Sequence, residues 1–262
     1  MAAGLTLNVG VATDVGRVRE HNEDSAFAQA GVYVVADGMG GHAAGEIASR
    51  ITADTLGELA GRDGLKVADF VRQIETANWR ILAAAGQDPS KNGMATTVTG
   101  VALVTVGGSP HWAVLNLGDS RVYRYLNATL AQVTVDHSEV QELVDAGFLT
   151  GAEARVHPLR HTVTRSLGRE PLPPVDTWVF PPCPGERFVV CSDGLTNEVG
   201  DDEIQAILGA GLDPQACAQT LVERAVDNGG RDNVTVIVVE LADYPAAEVD
   251  EEEVAAAEDD DG

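Results

Sequence analysis

Four aspartates stand where apolar runs stop or start. Val32–Ala36 delivers Asp37 into Gly38, Gly40 and Gly41, and His111–Leu117 delivers Asp119 after a single glycine. Glu186–Cys191 leads to Asp193, and Asp232 precedes the run Asn233–Leu241. Taken singly, an aspartate beside glycine at a strand end is usually turn chemistry. Taken together they mean more, because several close negative charges at buried strand ends are costly without a cation. Oxygen donors without a Cys or His cluster favour Mg²⁺ or Mn²⁺ over Zn²⁺. Two such ions roughly 3.5–4 Å apart can activate water and clamp a phosphoryl oxygen during in-line displacement. The chemistry indicated is phosphate chemistry.

The elements that must position these carboxylates read mostly as strands. Leu5–Thr13 alternates loosely, Val32–Ala36 is a short apolar strand, and Gly93–Val106 forms one long β-branched run. Gly107-Gly108-Ser109-Pro110 turns that run into His111–Leu117, a hairpin. Arg121–Leu126, Leu130–Val135, Val175–Phe180, Glu186–Cys191 and Asn233–Leu241 complete the strands. Helices are expected from about Ala43 to Leu59 and from Val67 to Ala85, the second with Phe70, Val71, Ile74, Ile81 and Leu82 on one face. Two more are expected at Asp201–Leu208 and Pro214–Val226, the latter with Pro in its first turn. Residues 137–170 read as an insertion over one end of the sheets, with a short helix closed by Gly147 and then irregular, His- and Arg-bearing sequence. Antiparallel hairpins with paired helices argue against a doubly wound parallel sheet. The expected fold is α+β, two packed, mainly antiparallel sheets with helices outside.

Composition sets the limits. The chain has 262 residues, 44% of them hydrophobic, enough for one sizeable core. It shows no secretory leader and no apolar run long enough to span a bilayer, so a cytoplasmic protein without a membrane anchor is expected. Cys183, Cys191 and Cys217 lack metal-ligand spacing and read as buried thiols in a reducing compartment. The formal charge of -24 excludes a general nucleic-acid binder, which needs a basic footprint. Between Tyr244 and Gly262 there are nine acidic residues and no Lys or Arg. Residues 244–262 are expected to be a disordered acidic tail after a catalytic domain spanning 1–243.

Six motifs in order point to one family. Arg19-Glu20-His21-Asn22-Glu23-Asp24, Ala36-Asp37-Gly38-Met39-Gly40-Gly41-His42 and Gly93-Met94-Ala95-Thr96-Thr97 come first. Gly118-Asp119-Ser120-Arg121, Cys191-Ser192-Asp193-Gly194-Leu195 and Arg231-Asp232-Asn233-Val234-Thr235 follow. Over roughly Leu5 to Leu241 the chain resembles the metal-dependent protein phosphatases, the type 2C serine/threonine phosphatases, in their bacterial form.

The resemblance implies a four-layer αββα sandwich with a dinuclear Mn²⁺ or Mg²⁺ centre at one end of the sheets. Asp37 would bridge both metals, the Gly38 carbonyl would ligate one, and Asp193 and Asp232 would hold the other. Asp119, with Asp193, would offer a third-metal position. Glu23 and Asp24 would act through metal-bound water, with Asn233 also behind the ligands. Arg19 would clamp the phosphate, because a guanidinium fork binds two of its oxygens at once. The nucleophile would be a metal-bridging hydroxide, which leaves Cys191 as a packed strand residue. Eukaryotic relatives carry His immediately after the Asp-Gly pair, where this chain has Met39. His42 is the candidate proton donor in its place, a task a metal-bound water could equally perform. Asp136-His137-Ser138 and His157-Pro158-Leu159-Arg160-His161 resemble the family's mobile flap, either shaping the substrate entrance or forming a solvated loop.

The expected function is hydrolysis of phosphoserine and phosphothreonine in proteins by a monomer that opposes Ser/Thr protein kinases. The alternatives are a same-fold phosphatase with one narrow regulatory target of the anti-sigma-antagonist type, and a catalytically silent acidic cation-binding module. Loss of a core aspartate would favour silence, and none is missing.

Overall fold

Strand alternation decides which side chains meet. In a strand, neighbouring residues point to opposite faces, so a strand buried on both faces needs two different apolar neighbours. Val34 packs in a cluster with two helices, whereas Tyr33 and Val35 pack against the other sheet. The computed structural model describes residues 5–40 and 44–243, and the expectations for His42 and for residues 244–262 lie outside them.

The chain opens with β1 (Thr6–Asp14), β2 (Asp24–Gln29) and β3 (Val32–Met39), then α1 (Ala44–Gly57) and α2 (Val67–Gln87). Five strands follow: β4 (Ala95–Thr96), β5 (Val98–Val106), β6 (Ser109–Leu117), β7 (Arg121–Leu126) and β8 (Thr129–Gln132). Two short helices, α3 (Glu139–Asp145) and α4 (Gly151–Val156), occupy the insertion. The chain then runs through β9 (Asp176–Phe180), β10 (Arg187–Cys191), α5 (Asp193–Thr196), α6 (Asp201–Leu208), α7 (Pro214–Asn228) and β11 (Val234–Asp243).

The strands form two antiparallel sheets. One has the order β1-β11-β10-β7-β8; the other has the order β2-β3-β5-β6-β9, with β4 beside the end of β3. Phe70, Ile74, Ala77 and Ile81 of α2 join Ala48 and Leu56 of α1 over Val32, Val98 and Leu115. On the far side Cys217, Leu221 and Ala225 of α7 and Ile204 of α6 cover Val189, Val236 and Val238. Trp112, Val114, Phe188, Val190, Ile237 and Val239 fill the space between the sheets. This is the α+β, αββα arrangement.

Several boundaries differ from the sequence reading. The run Gly93–Val106 is not one strand: Thr97 breaks it into β4 and β5, because its backbone amide and hydroxyl both turn to Asp37. β3 does not dissolve at Asp37 but continues to Met39, since β4 gives Gly38 and Met39 a partner. Two short helices escaped the reading, α4 and α5. The first has a capping box, Thr150 with Glu153, that its sequence spelling could have revealed. Of the three free thiols, Cys191 and Cys217 are buried, but Cys183 is only half-buried, at the turn whose amide donates to Glu186.

The inter-sheet layer holds one fully buried carboxylate, Glu186, before β10. Its oxygens accept from Trp112 Nε1 at 2.6 Å, the Cys183 amide at 2.7 Å and Arg124 Nε at 2.7 Å. Trp112→Phe should therefore lower unfolding free energy by about 1–3 kcal/mol in urea titration, by leaving a buried acceptor short of a donor. Turnover should be unchanged, because this cluster lies at the far ends of the strands from the aspartates.

Candidate metal centre

Register brings the carboxylates together. The C-terminal ends of β3, β6 and β10 and the N-terminal start of β11 share one edge of the sandwich: Val35 pairs with Thr99, Val98 with Leu117, and Cys191 with Val236. Asp37, Asp119, Asp193 and Asp232 sit just inside or beyond those ends. They line one cleft of about 610 Å³ together with Arg19, Glu23, Gly38 and Asn233. Asp24, in register with Asp37 across β2 and β3, lies behind it.

The backbone around Asp37 is fixed at three points. Its amide donates to Thr97 Oγ1 at 3.0 Å, and its carbonyl accepts from the Thr97 amide at 2.9 Å and Thr96 Oγ1 at 2.8 Å. Gly38 follows in very close quarters. A Cβ there would lie 2.3 Å from the Gly45 carbonyl oxygen and 2.5 Å from that of Glu23, so no larger residue lets α1 and the β2 entry pack this tightly.

The opposite wall is held by other means. Asn233 Oδ1 accepts from the Glu23 amide at 2.8 Å, and its Nδ2 donates to the Val15 and His21 carbonyls, both at 2.9 Å. Asn233 thus pins the loop that carries Arg19 to the start of β11. Arg19 Nη2 donates to Asp232 Oδ2 at 2.8 Å, with about half of its side chain still open to the cleft. Asn197, which sequence reasoning missed, donates to Asp193 Oδ2 at 2.9 Å. An i,i+4 spacing from Asp193 was its only local signal.

Electrostatics set this end apart. Burial raises the Asp24 carboxyl to about 7, against hydrogen bonds from Ser192 and Thr235, while Asp193 and Asp232 push it further up. Asp37 is raised well above the carboxylate range by burial and then by Asp24, Asp193, Asp119 and Asp232. Burial and Asp193 act likewise on Asp119. Glu23 Oε1 and Asp24 Oδ1 are buried without a hydrogen-bond partner among the described residues. An all-oxygen donor set, mutual repulsion and orphaned acceptors fit hard divalent cations. No three His, Cys, Asp or Glu side chains among the described residues form a closed cage.

The insertion contributes from above. Arg160 and His161 line the cleft, with His161 Nδ1 3.8 Å from Asp193 Oδ2. Arg160 also lines a second cavity, of about 660 Å³, which continues from the cleft beneath α3 and α4. His137 does not shape the entrance: it is 5% exposed at the root of the insertion. Met39 lines the cleft and offers no proton.

Known proteins share this fold. The family described as protein phosphatase 2C matches residues 17–213. The serine/threonine protein phosphatase PstP of Mycobacterium tuberculosis is 37% identical over 244 residues, 92% of this chain but 46% of that protein. The chain therefore spans about half the length of that relative. The serine/threonine phosphatase stp of Listeria welshimeri is 35% identical over 239 residues, 87% of this chain and 93% of the relative. The catalytic domain of PstP, crystallised with two manganese ions, superposes with a TM-score of 0.82 at 35% identity, covering 91% of this chain and all of that one.

The raised carboxyls set the sign of a pH effect. Their folded-state values lie above the ordinary value near 4, so the native state binds more protons than the unfolded one and stability falls as pH rises. Without divalent ions, the melting temperature should drop between about pH 4 and pH 7, the interval defined by Asp24. Added Mn²⁺ should reverse the trend by replacing the protons. A metal-free melting temperature that climbs steadily over that interval would contradict this account.

Proposed function

The chain belongs to the protein phosphatase 2C family, and from that premise we propose that it hydrolyses phosphoserine and phosphothreonine in proteins at a dinuclear Mn²⁺ or Mg²⁺ centre. One observation carries the reading: aspartates from both sheets converge in one cleft with Arg19, whose side chain is half open to it. Neither a scaffold nor a silent cation binder needs a guanidinium in that place. The names of the Mycobacterium and Listeria relatives support the serine/threonine class.

In this proposal Asp37, the Gly38 carbonyl, Asp193 and Asp232 would hold the two ions. When bound, the pair supplies an activated water and positive charge for the phosphoryl oxygens. The chain's own residues do the rest. Thr96 and Thr97 hold the Asp37 backbone still, so its carboxylate meets the cleft in one orientation. Asn197 orients Asp193. Arg19, tethered to Asp232 by one nitrogen, directs its remaining N–H groups at two phosphate oxygens and aligns the ester for attack. Glu23 and Asp24, with free acceptor oxygens, would hold water at the back of the cleft. A peptide substrate fits such an open cleft, and the second cavity beneath α3 and α4 gives its flanking residues room. No helix among the described residues is long and apolar enough to cross a membrane.

Hydrolysis of a phosphothreonine peptide should require added Mn²⁺ and stop with EDTA; turnover without metal would sink the proposal. Asp37→Asn should lower kcat at least about 100-fold while leaving far-UV dichroism intact, since the charge it removes is worth several kcal/mol in the transition state. Arg19→Lys should cost about tenfold in kcat/KM, because a point charge replaces a two-pronged clamp. Truncation after Asp243 should leave turnover of a small phosphoester unchanged, as measured on p-nitrophenyl phosphate.

A further inference from the structure

Two tripeptides distant in sequence are stitched together at the root of the insertion. Gly118-Asp119-Ser120 forms a turn at the end of β6, and Asp136-His137-Ser138 opens residues 137–170. The Gly118 amide donates to His137 Nδ1 at 3.0 Å, while the His137 amide donates to the Gly118 carbonyl at 2.9 Å. His137 therefore grips Gly118 on both polar groups. Next door, Arg121 forms a two-pronged pair with Asp136, Nε to Oδ1 at 2.9 Å and Nη2 to Oδ2 at 2.7 Å.

The imidazole is itself held. Because Nδ1 accepts from Gly118, the ring hydrogen must sit on Nε2, which faces Asp176 Oδ2 at 3.0 Å. Arg165 Nη1 lies 3.2 Å from both Asp176 Oδ1 and the ring nitrogen. The same residue closes the insertion: the Thr164 amide donates to the His137 carbonyl at 2.8 Å, and Ser138 bridges Val163. Gly118 has no slack, with φ at +129° and room for no Cβ, which would meet Thr97 Cγ2 at 2.5 Å. Thr97, in turn, accepts from the Asp37 amide and shares a hydrogen bond with Ser120.

We propose that His137 is a positioning residue: through its Nδ1 bond to the Gly118 amide it fixes the turn that aims Asp119 into the cleft, and so sets cation affinity on that side. The proposal deepens the function given above and rests on reading Asp119 as a cation ligand. A packing residue would act through stability alone. A positioning residue acts through one nitrogen, and substitution can separate its two. In Asn the amide oxygen takes the place of Nδ1, whereas in Gln the terminal amide takes that of Nε2.

Metal-free full-length protein would be titrated with Mn²⁺ calorimetrically, and turnover of p-nitrophenyl phosphate followed in parallel. His137→Gln, which leaves the Gly118 amide unpaired, should weaken the Asp119-side Mn²⁺ binding about tenfold, the range seen when a group supporting a ligand is lost. It should lower kcat with little change in KM. His137→Asn should stay within about twofold of wild type on both readouts, although its melting temperature falls as much as that of the Gln variant. Equal behaviour of the two variants, whether both fail or neither does, overturns the proposal. If His137→Gln does not fold, His137→Asn decides alone: near-wild-type Mn²⁺ affinity supports the proposal and a tenfold loss overturns it. Asp119→Asn separates the two levels. If it leaves Mn²⁺ binding unchanged, the reading of Asp119 fails; if it weakens binding while His137→Gln does not, only His137's role fails.

Discussion

Repulsion among buried carboxylates at one end of the sandwich is the constraint on which the rest depends. Asp24, Asp37 and Asp119 are each pushed toward the protonated form by burial and by one another. A fold that gathers such groups is less stable there than it could be. Apolar layers elsewhere must carry that cost: helices seal both outer faces, and Trp112, Phe188 and their neighbours fill the middle. The strained end and the compact body are two aspects of one design. Stability resides where the chemistry does not.

Neutral hydrogen bonds, more than ion pairs, hold the segments that carry the carboxylates. Thr96 and Thr97 fix Asp37, Asn197 fixes Asp193, and Asn233 anchors the loop that carries Arg19. A counter-charge would have quenched the field that attracts a cation. Arg19 is the exception, bound to Asp232 yet half-open. In the proposed function its charge acts at the phosphate, and its tether leaves it facing the same cleft as its partner.

Much of this was legible in the sequence because the signals are local. β-branched runs ending in aspartate gave the strands and the cluster, and apolar spacing gave α2, α6 and α7 to within a turn. The break at Thr97 was not legible: its cause is a pairing with Asp37, 60 residues away, that leaves no trace in the local pattern. For the same reason Asp136-His137-Ser138 read as part of a flap, either an entrance or a solvated loop. Only in three dimensions does His137 face Gly118 and Asp176 and become the root of the insertion. Asn233 stood inside a quoted motif, but its service to Val15, His21 and Glu23 depends on a loop more than 200 residues earlier.

The pairing of β1 with β11 sets Thr6 opposite Asp243 at the edge of one sheet. β11 starts beside Asp232 and runs ten residues away from the cleft, so both strand ends emerge roughly 30 Å from the aspartates at the usual rise per residue. Anything continuing from either strand end would begin on the side facing away from the cleft. The cleft end of the sandwich is therefore left clear of both strand ends, open to whatever approaches it.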